Sequence, residues 1–284
     1  MKNQNIIGLI CCTVLFLAGF LFHGDMGLYF NLAGALVVFG GTLGATLITY
    51  RVDRLKIVYK VLVSSYLTKT KTPEDIVEIL VGLSVKSKFK GILSLQEDEE
   101  ETSLLFLRRA LGLLVDGYRG KVIRDILNTE MYFFKQRRED CERVIRTLGE
   151  LFPSFGLVGS VVGLIGMLSG VGDSKVILAT VPIALTSTLY GVVLANFFCV
   201  PFAGNIRERT DQELLLQKII MEGVIAIESE MDPRSLERKL HSFVTPSSRH
   251  VQLVSLKRIQ ERFNISSDRS SDRSSDREEK SNIL

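Results

Sequence analysis

Four apolar runs, each about as long as a bilayer is thick, constrain this chain more than any other feature of its sequence. They cover residues 6–22, 28–50, 151–171 and 176–202. A helix needs about 20 mostly apolar residues to cross about 30 Å of hydrocarbon. We therefore predict an all-α, polytopic membrane protein with four transmembrane helices. The first run lacks a small-residue cleavage site, so we expect a retained span and not a signal peptide.

The distribution of basic residues orients these helices. The loop between the first two runs, residues 23–27, has no lysine or arginine. Basic residues follow the second and fourth runs directly: Arg51, Arg54, Lys56, Lys60, Arg207 and Arg209. Because cytoplasmic loops are enriched in lysine and arginine, residues 1–50 and 151–202 are predicted to form two hairpins whose ends, and both chain termini, are cytoplasmic.

The remaining segments are predicted to be cytoplasmic. Residues 51–150 show helical spacing of apolar residues, which predicts a helical domain. Thr72-Pro73 is predicted to start one of its helices. Residues 96–101 are predicted to form a solvated acidic turn between helices. Residues 203–263 are predicted to form further amphipathic helices. The tail, residues 264–284, contains three copies of Ser-Ser-Asp-Arg and almost no apolar residues, which predicts disorder.

Several function classes are disfavoured by composition and motifs. The formal charge of +3 is too small a basic excess to indicate nucleic-acid binding. The four cysteines and three histidines show no metal-ligand spacing, and the chain has no Gly-rich phosphate loop and no nucleophile–histidine arrangement. We therefore expect no enzyme activity, no catalytic residues, no metal site and no cofactor.

The third and fourth runs are rich in small and hydroxyl residues. Gly159 and Gly163 fit the small-xxx-small pattern of closely packed helices, although helix packing is only one interpretation of these glycines. The hydroxyls are Ser160 in the third run and Thr186, Ser187 and Thr188 in the fourth. A hydroxyl inside a membrane needs a partner or faces water, so these four residues could line an ion pathway or contact another helix.

Neither run contains an Asp, Glu, Lys or Arg. A proton pathway inside a membrane normally requires a titratable group, so any carrier carboxylate must come from a partner chain. Pro153 and Pro201 lie at the predicted cytoplasmic ends of the two runs. They either mark helix ends or form a paired hinge.

Four stretches resemble the MotA/PomA family of flagellar stator subunits, and the resemblance extends from residue 1 to about residue 246. The stretches are Val38 to Thr46, Pro153 to Leu164, Leu185 to Gly191, and Glu222 to Ile227 with Pro233-Arg234. The resemblance implies a subunit of the bacterial inner membrane, five of which surround two copies of a MotB-type partner. A transmembrane aspartate of that partner would carry H⁺ or Na⁺, and the ion flow would generate torque.

The resemblance also assigns roles to individual residues. Pro153 and Pro201 match the two prolines that couple ion passage to movement in the family. Ser160 matches a position that resembles Thr in sodium-driven members and Ala in proton-driven ones, while Thr188 matches a hydroxyl found in both. The serine leaves the choice of ion open.

Residues 86–96 resemble the segment that contacts the rotor protein FliG through one basic and one acidic residue. Lys88 occupies the basic position, with Lys86 and Lys90 beside it. Gln96 occupies the acidic position and removes a charge there, although Glu97 begins a run of carboxylates directly after it.

One alternative within the same superfamily is an energy-transducing channel of the ExbB/TolQ type. Such channels also work with an aspartate-bearing partner, but they have three spans in a different order. An amino-terminal hairpin, about a hundred polar residues and a second hairpin fit the stator arrangement better.

Overall fold

The computed structural model describes residues 29–67, 71–102, 104–169 and 174–244, together with Val14 and Ala18. In this part of the chain every regular element is helical. The α-helices, numbered α1 to α9 in chain order, are Leu32–Thr49, Val52–Leu67, Pro73–Lys90, Gln96–Glu101, Leu105–Val115, Gly120–Ser169, Ser174–Leu194, Val200–Glu228 and Pro233–His241. A 3₁₀ helix, Ile92–Leu95, precedes α4, and a π-helical turn, Ala195–Cys199, joins α7 to α8. The predicted first span falls outside the described residues apart from Val14 and Ala18, as does the whole predicted disordered tail.

Three segments are long and apolar enough to cross a membrane: Leu32–Thr49, Gly120–Ser169 and Ser174–Glu228. They contain the predicted second, third and fourth spans. The first of them, α1, begins where Asn31 accepts a hydrogen bond from the backbone N–H of Gly34 at 2.9 Å and ends at Tyr50, whose backbone is extended. This side-chain cap satisfies a backbone donor that would otherwise be exposed at the end of the span.

The described residues divide into two compact units. The first unit comprises residues 29–67, 133–169 and 174–212, and the second comprises residues 71–102, 104–132 and 213–244. The division does not follow the predicted boundary at residue 150, since α6 contributes residues to both units. The predicted boundaries were drawn from the expected membrane topology, and they stay predictions.

Each unit has its own apolar core. The core of the first unit is small and lies where α2, α6 and α8 meet, around Val58, Val144 and Ile206. The core of the second unit is larger and combines α3, α5, the start of α6, α8 and α9 around residues such as Leu80, Leu111 and Ile219. Burying these side chains supplies the main favourable free energy of each unit.

Local signals fix the helix ends in the second unit. The predicted start of α3 is confirmed: Thr72 and Asp75 form a reciprocal capping box, and Pro73 occupies the first turn. Gly91 ends the same helix with a φ of +84°, a left-handed conformation that favours glycine. These residues set where the chain turns toward the acidic run.

The acidic run 96–101 has no buried residue, in agreement with the predicted solvation, but its backbone is not the predicted turn. It forms the short helix α4. Arg108 donates hydrogen bonds to the backbone oxygens of Glu100 and Thr102, and the buried Lys86 pairs with Asp98. These cations neutralise part of the carboxylate repulsion, and acidic residues in a first turn interact favourably with the helix dipole.

Candidate functional site

The glycines of the third span bring α6 and α7 into close contact. A Cβ at Gly159 would lie 2.5 Å from Cβ of Ser187, and a Cβ at Gly163 would lie 2.7 Å from the backbone nitrogen of Ala184. Real Cβ atoms essentially never approach other atoms this closely. The small-xxx-small interpretation of these two glycines as packing positions is therefore confirmed.

The four predicted pathway hydroxyls lie in two different environments. Thr186 and Ser187 are 5% and 0% exposed and donate back to the carbonyl oxygens of Pro182 and Ile183, each at 2.6 Å. Both hydroxyls face Gly34 of α1, where a Cβ would lie 2.8 Å from Oγ of Ser187 and 3.2 Å from Oγ1 of Thr186. These two residues thus pack α7 against α1 within one chain.

Ser160 and Thr188 form the accessible part of the hydroxyl set. Their oxygens lie 2.5 Å apart, Ser160 is half-buried and Thr188 is exposed. Oγ of Ser160 also lies 2.5 Å from the carbonyl oxygen of Ala184, and Oγ1 of Thr188 lies 3.4 Å from that of Gly156. Two hydroxyl hydrogens cannot serve three contacts at once, so this surface carries more acceptor oxygens than hydrogens.

A cluster of four oxygens can interact with a passing cation. Hydroxyl and carbonyl oxygens replace water around hard cations, and they also accept hydrogen bonds from a hydrated ion. Residues 151–171 and 176–202 contain no ionisable Asp, Glu, Lys or Arg, so the cluster itself cannot carry a proton as a carboxylate does.

A tyrosine that the sequence analysis did not single out anchors the start of α1. The hydroxyl of Tyr190 accepts from the backbone N–H of Asn31 at 2.8 Å and donates to the carbonyl oxygen of Tyr29. The hydroxyl of a tyrosine within an apolar span must find hydrogen-bond partners. This requirement was the one feature of the sequence that could have identified Tyr190 as a structural contact. These hydrogen bonds fix the position of the first residues of α1 relative to α7.

The two prolines of the predicted hinge occupy different positions in their helices: Pro153 is internal, whereas Pro201 lies near a helix start. Pro153 lies inside α6, which continues without interruption to Ser169. Its turn packs closely on Gly191, where a Cβ would lie 3.1 Å from Cα of Pro153. The helix-end interpretation is wrong for Pro153, because close packing holds the helix together across the missing backbone donor.

Pro201 follows an irregular turn. It is the second residue of α8, and only Val200 separates it from the π-helical turn Ala195–Cys199. Such turns frequently accompany functional sites. Cys199 at the end of the turn is buried and packs on Gly149, where a Cβ would lie 3.2 Å from Cβ of Cys199.

The predicted rotor-contact segment contains both buried and exposed charges. Nζ of Lys86 lies 2.6 Å from Asp98 and 3.5 Å from Glu97, and its side chain is only 9% exposed. Burial alone would lower the pKa of Lys86, but the hydrogen bond and charge of Asp98, assisted by Glu97, outweigh it and raise the pKa above its usual value. Lys86 is therefore an internal ion-pair partner that fixes α4 to α3.

The other residues of this segment remain accessible. Lys88 pairs with Asp232 at 3.2 Å and is half exposed, while Lys90 and Gln96 are exposed. Lys90, Gln96 and Glu97 line an open cleft of about 330 Å³. These residues can contact another protein without unfolding the second unit.

A buried carboxylate joins three helices of the second unit. Glu222 of α8 lies 3.0 Å from Arg124 of α6, 2.8 Å from Lys239 of α9 and 3.9 Å from Lys218. Burial would raise the pKa of Glu222, but its three cationic neighbours, Lys239 foremost, together hold the pKa below its usual value. The sequence motif drew attention to Glu222 but not to these partners.

Comparisons with known proteins agree on one group of membrane proteins. A sequence model of the MotA/TolQ/ExbB proton channel family matches residues 98–218. The chain is 29% identical to the chemotaxis protein PomA of Vibrio alginolyticus, over 89% of this chain and 99% of that protein. It is 30% identical to motility protein A of Borreliella burgdorferi, over 79% and 86% of the two chains. The flagellar MotAB stator complex of Bacillus subtilis superposes with a TM-score of 0.80 at 25% identity, covering 86% of this chain and 96% of that one.

Proposed function

This chain belongs to the MotA/TolQ/ExbB proton channel family, and we propose that it is the flagellar stator subunit that conducts H⁺ or Na⁺ with a MotB-type partner and turns the flow into torque. The observation that carries the proposal is the oxygen cluster of Ser160 and Thr188 on spans that contain no Asp, Glu, Lys or Arg. Such a surface can stabilise an ion in transit but needs a carrier on another chain.

The partner we propose is a MotB-type subunit that supplies a transmembrane aspartate. The exposed hydroxyl of Thr188 and the half-buried hydroxyl of Ser160 would face that carboxylate, whereas Thr186 and Ser187 hold α7 to α1. Self-association, as a pentamer around two partner chains, would surround the carboxylate with several copies of this oxygen cluster. The solved relative of Bacillus subtilis is a MotAB complex, which supports a partner of this kind.

The second unit would contact the rotor protein FliG. Exposed charges at Lys88, Lys90 and Glu97 are suited to this role, since charges at the rim of an interface give specificity and fast association. Pro153 and Pro201 would couple ion passage to movement. We place the protein in the bacterial inner membrane with both termini cytoplasmic, and propose neither an enzymatic role nor a cofactor.

The similarity to motility proteins favours this function over an energy-transducing channel of the ExbB/TolQ type. PomA and motility protein A are matched over 99% and 86% of their own lengths, which includes the segments on both sides of the family-model match. An ExbB/TolQ-like role would require no rotor contact, so the two functions predict different results in a motility assay.

The decisive experiment replaces the stator of a motile bacterium by this chain and its cognate partner and records swimming speed while sodium is varied at constant pH. Restored motility supports the stator function. Speed that rises with sodium identifies Na⁺ as the ion, and sodium-independent speed that a proton uncoupler abolishes identifies H⁺. If both proteins assemble in the membrane but no cell swims, the stator proposal is wrong.

A further inference from the structure

The acidic run beside the predicted rotor-contact segment is partly engaged within the second unit: Asp98 and Glu99 are half-buried, while Glu97, Glu100 and Glu101 are exposed. Asp98 and Glu97 share the buried Lys86. Glu99 packs over Gly112, where a Cβ would lie 2.8 Å from its Oε1. Gln96, at the acidic position of the segment, carries no charge. Asp98 and Glu99 are poorly placed to replace the charge that Gln96 lacks, and the exposed Glu97 already pairs with Lys86.

A carboxylate from a distant part of the chain lies beside Lys88 instead. Oδ1 of Asp232 is 3.2 Å from Nζ of Lys88, although 144 residues separate them in sequence. The two side chains are 56% and 54% exposed. An acidic and a basic group are thus presented together on one accessible surface of the second unit.

Asp232 is held in place by a second interaction. Its Oδ2 accepts a hydrogen bond from the backbone N–H of Arg234 at 3.2 Å and caps helix α9, which begins at Pro233. The hydrogen bond from Lys88, followed by the helix-cap bonds, lowers the pKa of Asp232, so that the carboxylate is ionised at neutral pH. A carboxylate fixed by a helix cap loses less conformational entropy on binding than a freely rotating one.

We propose that Asp232 is the acidic half of the rotor contact, in the role that Gln96 cannot fill. Lys88 and Asp232 together would recognise a protein surface that carries one acidic and one basic side chain next to each other. This inference rests on the proposed stator function, which supplies the rotor protein as the partner.

An exchange of charge partners keeps the free-energy cost of forming such a contact small. An exposed ion pair contributes only about 0–1 kcal/mol, so little is lost when Lys88 turns to a partner carboxylate and Asp232 to a partner cation. All four charges keep an opposite neighbour throughout. Wrong surfaces would place like charges together, which is costly, so the pair provides specificity more than affinity.

The test separates the charge of Asp232 from its role as a helix cap. Asn caps helices as well as Asp does, so Asp232→Asn keeps the start of α9 and removes only the charge. We expect this variant, assembled with its partner, to bind purified rotor protein roughly three- to tenfold more weakly at low salt. Swimming speed should fall without a change in the amount of assembled complex. The matched control is Asp116→Asn, which removes an exposed charge from the same unit and should change neither measurement.

A charge reversal provides the second variant. Lys88→Glu reverses the charge of the basic half while the Asp232 cap of α9 stays in place, and it should lose rotor binding as Asp232→Asn does. Wild-type binding and speed in Asp232→Asn would overturn the inference while leaving the stator function intact. If the unaltered chain with its partner neither swims nor binds rotor protein, the stator function fails, and the inference falls with it.

Discussion

The hydroxyl oxygens of Ser160 and Thr188 lie 2.5 Å apart, although the two residues are 28 positions apart in the sequence and belong to different helices. If this pair stabilises the ion, Thr188→Ala should lower ion-dependent swimming speed severely. A lost interaction between a hydroxyl oxygen and a charge is worth about 1.5–3 kcal/mol, or roughly tenfold or more in ion affinity. Thr188→Ser keeps the oxygen and should retain most of the speed.

The control for this prediction is Ser169→Ala near the end of the same span as Ser160. The hydroxyl of Ser169 donates to the carbonyl oxygen of Gly166 in its own helix at 2.8 Å. Its removal should leave speed and sodium dependence unchanged. Equal loss in Thr188→Ala and Ser169→Ala would show that any hydroxyl in these spans matters for assembly and that the pair has no special role.

Gly159→Ala should destabilise the packing of α6 on α7. The added Cβ would meet Cβ of Ser187 at 2.5 Å, and overpacking of this kind typically costs about 1–3 kcal/mol. We expect a lower thermal midpoint in detergent and less assembled complex. Gly204→Ala is the control, because a Cβ there meets nothing within 4 Å and alanine favours a helix. A lower thermal midpoint for this variant as well would contradict the packing explanation.

Glu222→Gln should lower the free energy of unfolding of the second unit by about 1–3 kcal/mol, because it leaves three cations without their shared carboxylate. Chemical unfolding monitored by circular dichroism measures this change. Glu101→Gln is the control, since Glu101 is exposed on the short helix α4. A loss of similar size in both variants would mean that overall charge and not the Glu222 cluster is responsible.

The pKa of Glu222 predicts the pH range in which this stabilisation disappears. The pKa is lower in the folded protein than in the unfolded chain, so the contribution is fully present above the unfolded value of about 4.5. It is lost as the pH falls through the lower, folded pKa. Wild-type protein should lose more stability than Glu222→Gln as the pH falls from about 5 through the folded pKa of Glu222. Parallel acid-unfolding curves for the two proteins would rule out this linkage.

Lys86 and Lys90 should respond differently to removal although they lie four residues apart on one helix. Lys86→Ala breaks the buried contact with Asp98 and should cost about 1–3 kcal/mol of unfolding free energy. Lys90→Ala should cost no more than about 0.5 kcal/mol, because the side chain is exposed. Only Lys90→Ala should weaken rotor binding in a fully folded complex. Weak rotor binding by Lys86→Ala at full stability would contradict this assignment.

Pro153→Ala and Pro201→Ala should reduce torque while the complex still assembles. Each change restores a backbone N–H and favours a regular helix at a position where the chain now lacks that donor. Speed at low load and the amount of complex in membranes should be measured together. Pro182→Ala, inside α7, is the matched control. A torque loss in this variant equal to the others would argue against a special role for Pro153 and Pro201.

Much of the fold follows from local sequence signals. The apolar runs predicted the three described spans, Gly159 and Gly163 predicted close helix packing, and Thr72-Pro73 predicted the start of α3. The pairs that organise the site were not predictable in this way. Tyr190 with Asn31, and Lys88 with Asp232, are 159 and 144 residues apart, and local spacing contains no information about such contacts.

The acidic helix shows why a charge pattern can mislead. Six successive polar residues predict a solvated turn when only their repulsion is considered. The folded protein supplies Lys86 and Arg108 from neighbouring helices, and these cations offset that repulsion. Their positions depend on the tertiary packing of the second unit and cannot be inferred from residues 96–101 alone.

The three consecutive hydroxyl residues 186–188 are under two different physical constraints. Successive residues of a helix point about 100° apart, so neighbours in sequence need not share an environment. Thr186 and Ser187 are buried against α1, and Ser187 also contacts α6, so a larger side chain has no room at either position. Thr188 is exposed, so the volume of its side chain is less restricted, and the proposed ion contact requires only its oxygen. A substitution at Thr188 would therefore change the proposed ion contact without disturbing the helix interface built by the two residues before it.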